Sequence, residues 1–80
     1  MNYIEALNKL KKRIQVEHIN RNDNINTYYS FDFKSGLIIA TQYKEEQVFK
    51  IIASTYHLKT FEMTIQEFID SAKKNNYNFI

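Results

Sequence analysis

Between Thr27 and Tyr43 the chain alternates apolar and polar residues with a period of two. Tyr29, Phe31 and Phe33 interleave with Tyr28, Ser30 and Asp32, the pattern of a strand buried on one face and wet on the other. Lys34-Ser35-Gly36 follows as a turn signal, with Gly36, the only glycine, where a short hairpin loop needs a positive φ. The pattern resumes from Leu37 to Tyr43, so a hairpin is predicted with Phe33 facing Leu37, Phe31 facing Ile39 and Tyr29 facing Thr41.

Helical spacing brackets this hairpin. Asn2 and Glu5 are placed as N-cap and N3 of a helix starting at Tyr3, with Tyr3, Leu7, Leu10 and Ile14, and Ile4 beside them, forming the apolar stripe. Its end is open: Ile14, Val16 and His18 alternate as in a strand, while Ile14 and His18 also continue the stripe. Asn20 to Asn26 reads as a loop of short polar side chains. After a polar break at Lys44-Glu45-Glu46-Gln47, Val48–Ser54 is predicted as a strand with Phe49, Ile51 and Ala53 as one apolar set, a short helix being the alternative. Leu58–Met63 is predicted as an edge strand guarded by Lys59 and Glu62. Thr64, Glu67, Met63 and Phe68 supply a capping box and hydrophobic staple for a last helix from Ile65, ended near Asn75 or Asn76. The tail Tyr77-Asn78-Phe79-Ile80 is apolar enough to dock. The expected architecture is one α+β domain over residues 1–80: an N-terminal helix, an antiparallel meander of three to four strands and a C-terminal helix, in two layers.

Composition narrows the function classes. Six Phe and six Tyr supply a core, and no cysteine provides a disulfide or thiolate metal site. No leader or apolar run of spanning length is visible, so a cytoplasmic protein without membrane contact is expected. His18 and His57 stand alone, without a metal-ligating or catalytic spacing, and one glycine cannot make a phosphate-cradling loop. Neither catalytic residues nor a cofactor or metal site are assigned, and an enzyme is not expected. Lys9, Lys11, Lys12 and Arg13 form the densest basic run, and Lys9, Lys12, Arg13 and Arg21 are the candidate phosphate patch, although such a run is ordinarily a solvated helix face. Tyrosine is in excess of what a core accommodates. Tyr28, Ser30, Asp32, Tyr43 and Tyr56 are the candidate partner-binding residues, with Tyr28 on the sheet face away from the helices.

In size, in its helix–meander–helix order from Asn2 to Asn76 and in its Asn, Ile and Lys usage, the chain resembles small phage-encoded inhibitors of host defence, of which anti-CRISPR proteins are one type. The resemblance implies a non-enzymatic protein that occupies the surface of a larger host protein, a nucleic-acid-processing enzyme being one candidate. Those inhibitors are often acidic; the +2 charge here makes self-association or an acidic partner surface the expectation. The alternative is an RNA-binding module or small ribonuclease toxin, since the layout is similar to double-stranded RNA-binding domains. Gln66, Glu67 and Asp70 stand where that family is basic. A homodimer through the Leu58–Met63 edge or the Tyr28 face overlaps with both readings.

Overall fold

The computed structural model describes residues 1–80, the side chain of Ala53 excepted. Helix α1 (Tyr3–Lys11) leads into four antiparallel strands, β1 (Val16–Asn20), β2 (Ile25–Asp32), β3 (Leu37–Val48) and β4 (Ile51–Met63), and helix α2 (Ile65–Asn75) closes the order. The strands lie in the sheet in chain order, β1-β2-β3-β4. The α+β sandwich is therefore present, with β1 resolving the ambiguous stretch after α1 in favour of a strand.

Both helices start where their caps direct. The Asn2 side chain accepts from Glu5 N–H, and Thr64 and Glu67 form the full capping box of α2. Past α1, Arg13 adopts φ 64°, Arg13 N–H donates to Leu10 and Ile14 N–H donates to Lys9, a Schellman ending built without glycine. Asn76 ends α2 in the left-handed conformation. Because α1 stops there, its buried positions are Ala6 and Leu10, flanked by Tyr3 and Leu7. The stripe expectation for Ile4 and Ile14 is corrected, since both are exposed.

The β2–β3 register also differs from expectation by one residue. Asp32, not Phe33, pairs with Leu37; Phe31 pairs with Ile38 and Tyr29 with Ala40. The cause is the Asp32 carboxylate, which accepts from Lys34 N–H at 2.9 Å and Ser35 Oγ at 2.9 Å while Gly36 N–H donates to the Asp32 carbonyl at 2.8 Å. This side chain–backbone turn takes Phe33 into the loop. Gly36 keeps its role, at φ 75°. Lys34 N–H and Ser35 also hold the Asp32 carboxyl below its ordinary pKa. Phe33 instead sits edge-on to Phe31 under the Arg13 guanidinium, 4.2 Å from its ring centre.

The shift places Ile38 and Ala40 on the helix side, where they join Val16, Tyr29, Ala6, Leu10, Phe68, Ala72 and Phe79 in one buried cluster. Tyr29, Phe68 and Phe79 meet ring to ring at centroid distances of 5.2 and 5.8 Å about Tyr29 and 5.2 Å between the phenylalanines. The tail is docked: Ile80 exchanges backbone hydrogen bonds with Glu17 on β1, covering that edge of the sheet.

Two further expectations are corrected on the far side. Lys44–Gln47 is not a break but part of β3, because its residues pair across with Tyr56, Thr55, Ser54 and Ile52 and its backbone is satisfied by that ladder. Val48–Ser54 is accordingly not a separate strand. Val48 ends β3, Phe49-Lys50 is the turn, and β4 runs unbroken through Leu58, with register shifts at Gln42/Tyr43 and Glu46/Gln47. The inward place expected for Ala53 lies outside the described residues.

Burial holds the Tyr29 phenol up at about 12 against an ordinary 10.0, with Tyr77 adding to the shift. An acid whose folded pKa is raised loses stabilising effect as pH climbs from the unfolded value to the folded one. Stability should fall by roughly 2–3 kcal/mol between about pH 10 and 12 through this group alone. Urea titrations across that window check it: Tyr29→Phe should flatten the slope relative to the wild type.

Candidate functional site

Two surfaces are set apart by this fold. The first is the end of the β3–β4 hairpin. Strand β2 reaches only as far as the Ile25–Lys44 pair, so beyond it β3 and β4 continue as a two-stranded ribbon, with no third strand paired to it among the described residues. The molecule measures 40 × 24 × 19 Å and its radius of gyration is 13.1 Å, above the about 11.6 Å expected of a compact 80-residue chain. The excess matches a projecting arm.

The tip of that arm is apolar. Val48, Phe49, Ile51 and Ile52 are 55%, 94%, 71% and 54% exposed, and Tyr56 and Leu58 follow along β4. Its turn is also strained. A two-residue hairpin loop with both φ values positive favours Asn-Gly, because a side chain with a Cβ is crowded in that conformation. Here the two positions are Phe49 at φ 53° and Lys50 at φ 65°. Stability alone does not account for a phenylalanine held left-handed and bare to water.

The second surface is the open face of the sheet. Strand register puts Glu17 and Ile19 from β1, Asn26, Tyr28 and Ser30 from β2, Ile39, Thr41, Tyr43 and Glu45 from β3, and Thr55, His57, Thr60 and Glu62 from β4 on the side away from the helices. The face is hollow: Gln15, Tyr28, Tyr43 and Thr55 line a cavity of about 320 Å³. Tyr28 and Tyr43 meet edge-to-face at 5.7 Å, and His57 stands 5.7 Å from Tyr43 on its other side. The Glu17 carboxylate beside its hydroxyl, partial burial and the more distant Glu45 raise the Tyr28 phenol above its ordinary pKa. Asn26 donates through Nδ2 to Glu45 Oε1, while its own Oδ1 is buried without a partner.

Of the partner-binding residues read from sequence, Tyr28, Ser30 and Tyr43 share this face. Asp32 is taken up by the turn. Tyr56 pairs with Lys44 on the opposite side of the ribbon, away from Tyr43. Of the basic candidates, Lys9, Lys12 and Arg13 stay together at the end of α1, but Arg21 sits in the β1–β2 turn against Asn75, Asn76 and Tyr77. Those places are separated by the length of β1, roughly 16 Å. His18 stacks on Tyr77 at 3.9 Å, with Nδ1 3.4 Å from the Asn78 carbonyl, and His57 Nε2 lies 2.9 Å from Thr60 Oγ1. The two histidines lie on opposite edge strands. Among the described residues no three His, Cys, Asp or Glu side chains group as metal ligands, and no helix is long and apolar enough to cross a membrane.

Sequence reasoning passed over Glu17, Asn26, Glu45 and Phe49. The acids and Asn26 meet only once the strand order is known. Phe49 had a local signal, since Gln47-Val48 and Ile51-Ile52 flank a two-residue gap symmetrically.

Relieving the strained turn should stabilise the protein. The double substitution Phe49→Asn/Lys50→Gly is expected to add about 1–2 kcal/mol. Thermal unfolding followed by circular dichroism would show this as a rise of several degrees in Tm. An unchanged or lower Tm would mean that Phe49 is packed and the strain offset.

Comparison of the chain with protein-family models, with curated proteins and with solved structures finds no match.

Proposed function

We propose that this is a small non-enzymatic binding protein that acts by inserting the β3–β4 hairpin tip into a cleft on a larger protein. The observation that carries the reading is Phe49, presented 94% exposed on a strained turn between exposed Val48, Ile51 and Ile52. A two-residue tip is convex, so only a concave receiver buries it on all sides, and apolar area of this kind is stabilised by burial at roughly 25 cal/mol per Å². A flat partner surface would leave most of it wet. The ribbon carries the tip clear of the helices, so a cleft can close around it without meeting the body of the molecule.

Occupying a functional cleft is how a protein without its own chemistry inhibits or modulates another. That mode agrees with the likeness in size and layout to phage-encoded inhibitors of host defence. The test is capture from a bacterial lysate treated with nuclease, comparing tagged wild type with Phe49→Ser and with Lys9→Glu/Lys12→Glu. Losing a central aromatic anchor costs about 2 kcal/mol or more, roughly thirtyfold in affinity. The expected result is one protein retained by the wild type and the lysine variant and lost by Phe49→Ser, whose Tm stays at the wild-type value. Capture that vanishes with nuclease and with the lysine variant, but survives Phe49→Ser, would contradict the reading in favour of nucleic acid.

A further inference from the structure

The strand positions of the open face carry charge of one sign. The protein has 11 Lys and Arg against 9 Asp and Glu, yet no paired strand position on this face is a lysine or arginine; Arg13, between α1 and β1, lies beside Ser30 at its margin. Lys44 and Lys59, the lysines within paired strand positions, face the other way with Tyr56 and Gln42. What the open face does carry is Glu17, Glu45 and Glu62, one from each of three strands. The +2 net charge thus conceals an acidic hollow on a basic body.

Aromatic rings and carboxylates meet at that hollow. Its walls include two tyrosine rings, Tyr28 and Tyr43, set edge-to-face at 5.7 Å. It is a shallow, open depression of about 320 Å³, room for one side-chain head group laid on the rings. Beneath the surface Asn26, 6% exposed, donates to Glu45 and holds that carboxylate beside the tyrosines. Carboxylates and aromatic faces call for the same complement: a planar cation rich in N–H donors.

We propose that the hollow lined by Gln15, Tyr28, Tyr43 and Thr55 is a receptor for an arginine side chain presented by a protein partner. Arginine fits better than lysine because its guanidinium stacks on an aromatic ring and still directs donors in its plane toward Glu17 and Glu45. The acceptors on the two sides of Tyr28 match that divergence. Nucleic acid is the wrong ligand here, since its phosphates would meet Glu17, Glu45 and Glu62. This assignment stands apart from the hairpin tip, and either surface can fail without the other.

The test uses a blocked Gly-Arg-Gly peptide at millimolar concentration, followed by amide shifts of the 15N-labelled protein. The counterpart carrying citrulline, which has the same shape without the charge, and the counterpart carrying lysine run beside it. Expected are saturable shifts at Asn26, Tyr28, Tyr43 and Thr55 with the arginine peptide, weaker ones with lysine, and none with citrulline. Glu17→Gln, which leaves the Asn26–Glu45 pair intact, should weaken binding at least fivefold, and Phe49→Ser should bind as the wild type does. No saturable shift at the hollow, equal binding of the citrulline peptide, or an unchanged affinity in Glu17→Gln would overturn the assignment.

Discussion

The packing of Tyr29, Phe68 and Phe79 is the contact on which the rest of the structure depends. One ring comes from the middle of the sheet, one from α2 and one from the tail, so this single cluster holds the second layer and the chain end onto β2. Each fully buried ring contributes roughly 1.5–3 kcal/mol by area, with about 0.5–1.5 kcal/mol more for each favourable edge contact. Against a net stability of about 5–15 kcal/mol for a domain, that is a large share. It is also placed at one end of the molecule. Among the described residues nothing comparable supports the distal half of β3 and β4, which is held by backbone pairing.

That asymmetry produces the two surfaces. A core confined to the helix side leaves the far sheet face with no layer over it, and the curl of the strands makes it a hollow. The same confinement leaves the ribbon without a third strand. In the hollow the features are acidic and aromatic, with Tyr28 between Glu17 and Glu45; at the tip they are aliphatic and aromatic, with Phe49 foremost. If both proposed contacts form, the shape-driven one would act on residence time and the charge-driven one on encounter and discrimination.

Much of the scaffold was legible in local chemistry. The Thr64–Glu67 box, the Asn2 cap, the left-handed Asn76 and the positive φ of Gly36 are interactions within a few residues, which a one-dimensional reading captures. The register of β2 on β3 was not, because the Asp32 carboxylate competes for the turn and adds a residue to the loop. Val48–Ile52 misled for a different reason: an apolar run with β-branched residues reads as buried strand, and here it is the uncovered end of one. Period-two alternation put Tyr28 and Ser30 on one side, but the expected register set them beside Gln42 and Ala40, and Tyr43 reached that face only through the one-residue shift. Glu17, Asn26 and Glu45 joined them only through strand order, and net charge hid the sign of the face they form.

The central claim is that a well-packed core at one end supports a ribbon that, among the described residues, no other element covers. Amide hydrogen exchange of the isolated protein measures it directly. The account predicts that Tyr29, Ile38 and Ala40 exchange only through global unfolding, while Gln47 to Ile52 exchange orders of magnitude faster through local opening. Protection of Gln47 to Ile52 equal to that of Tyr29 at low protein concentration would contradict it, because the tip would then be packed within the molecule and not available to a partner.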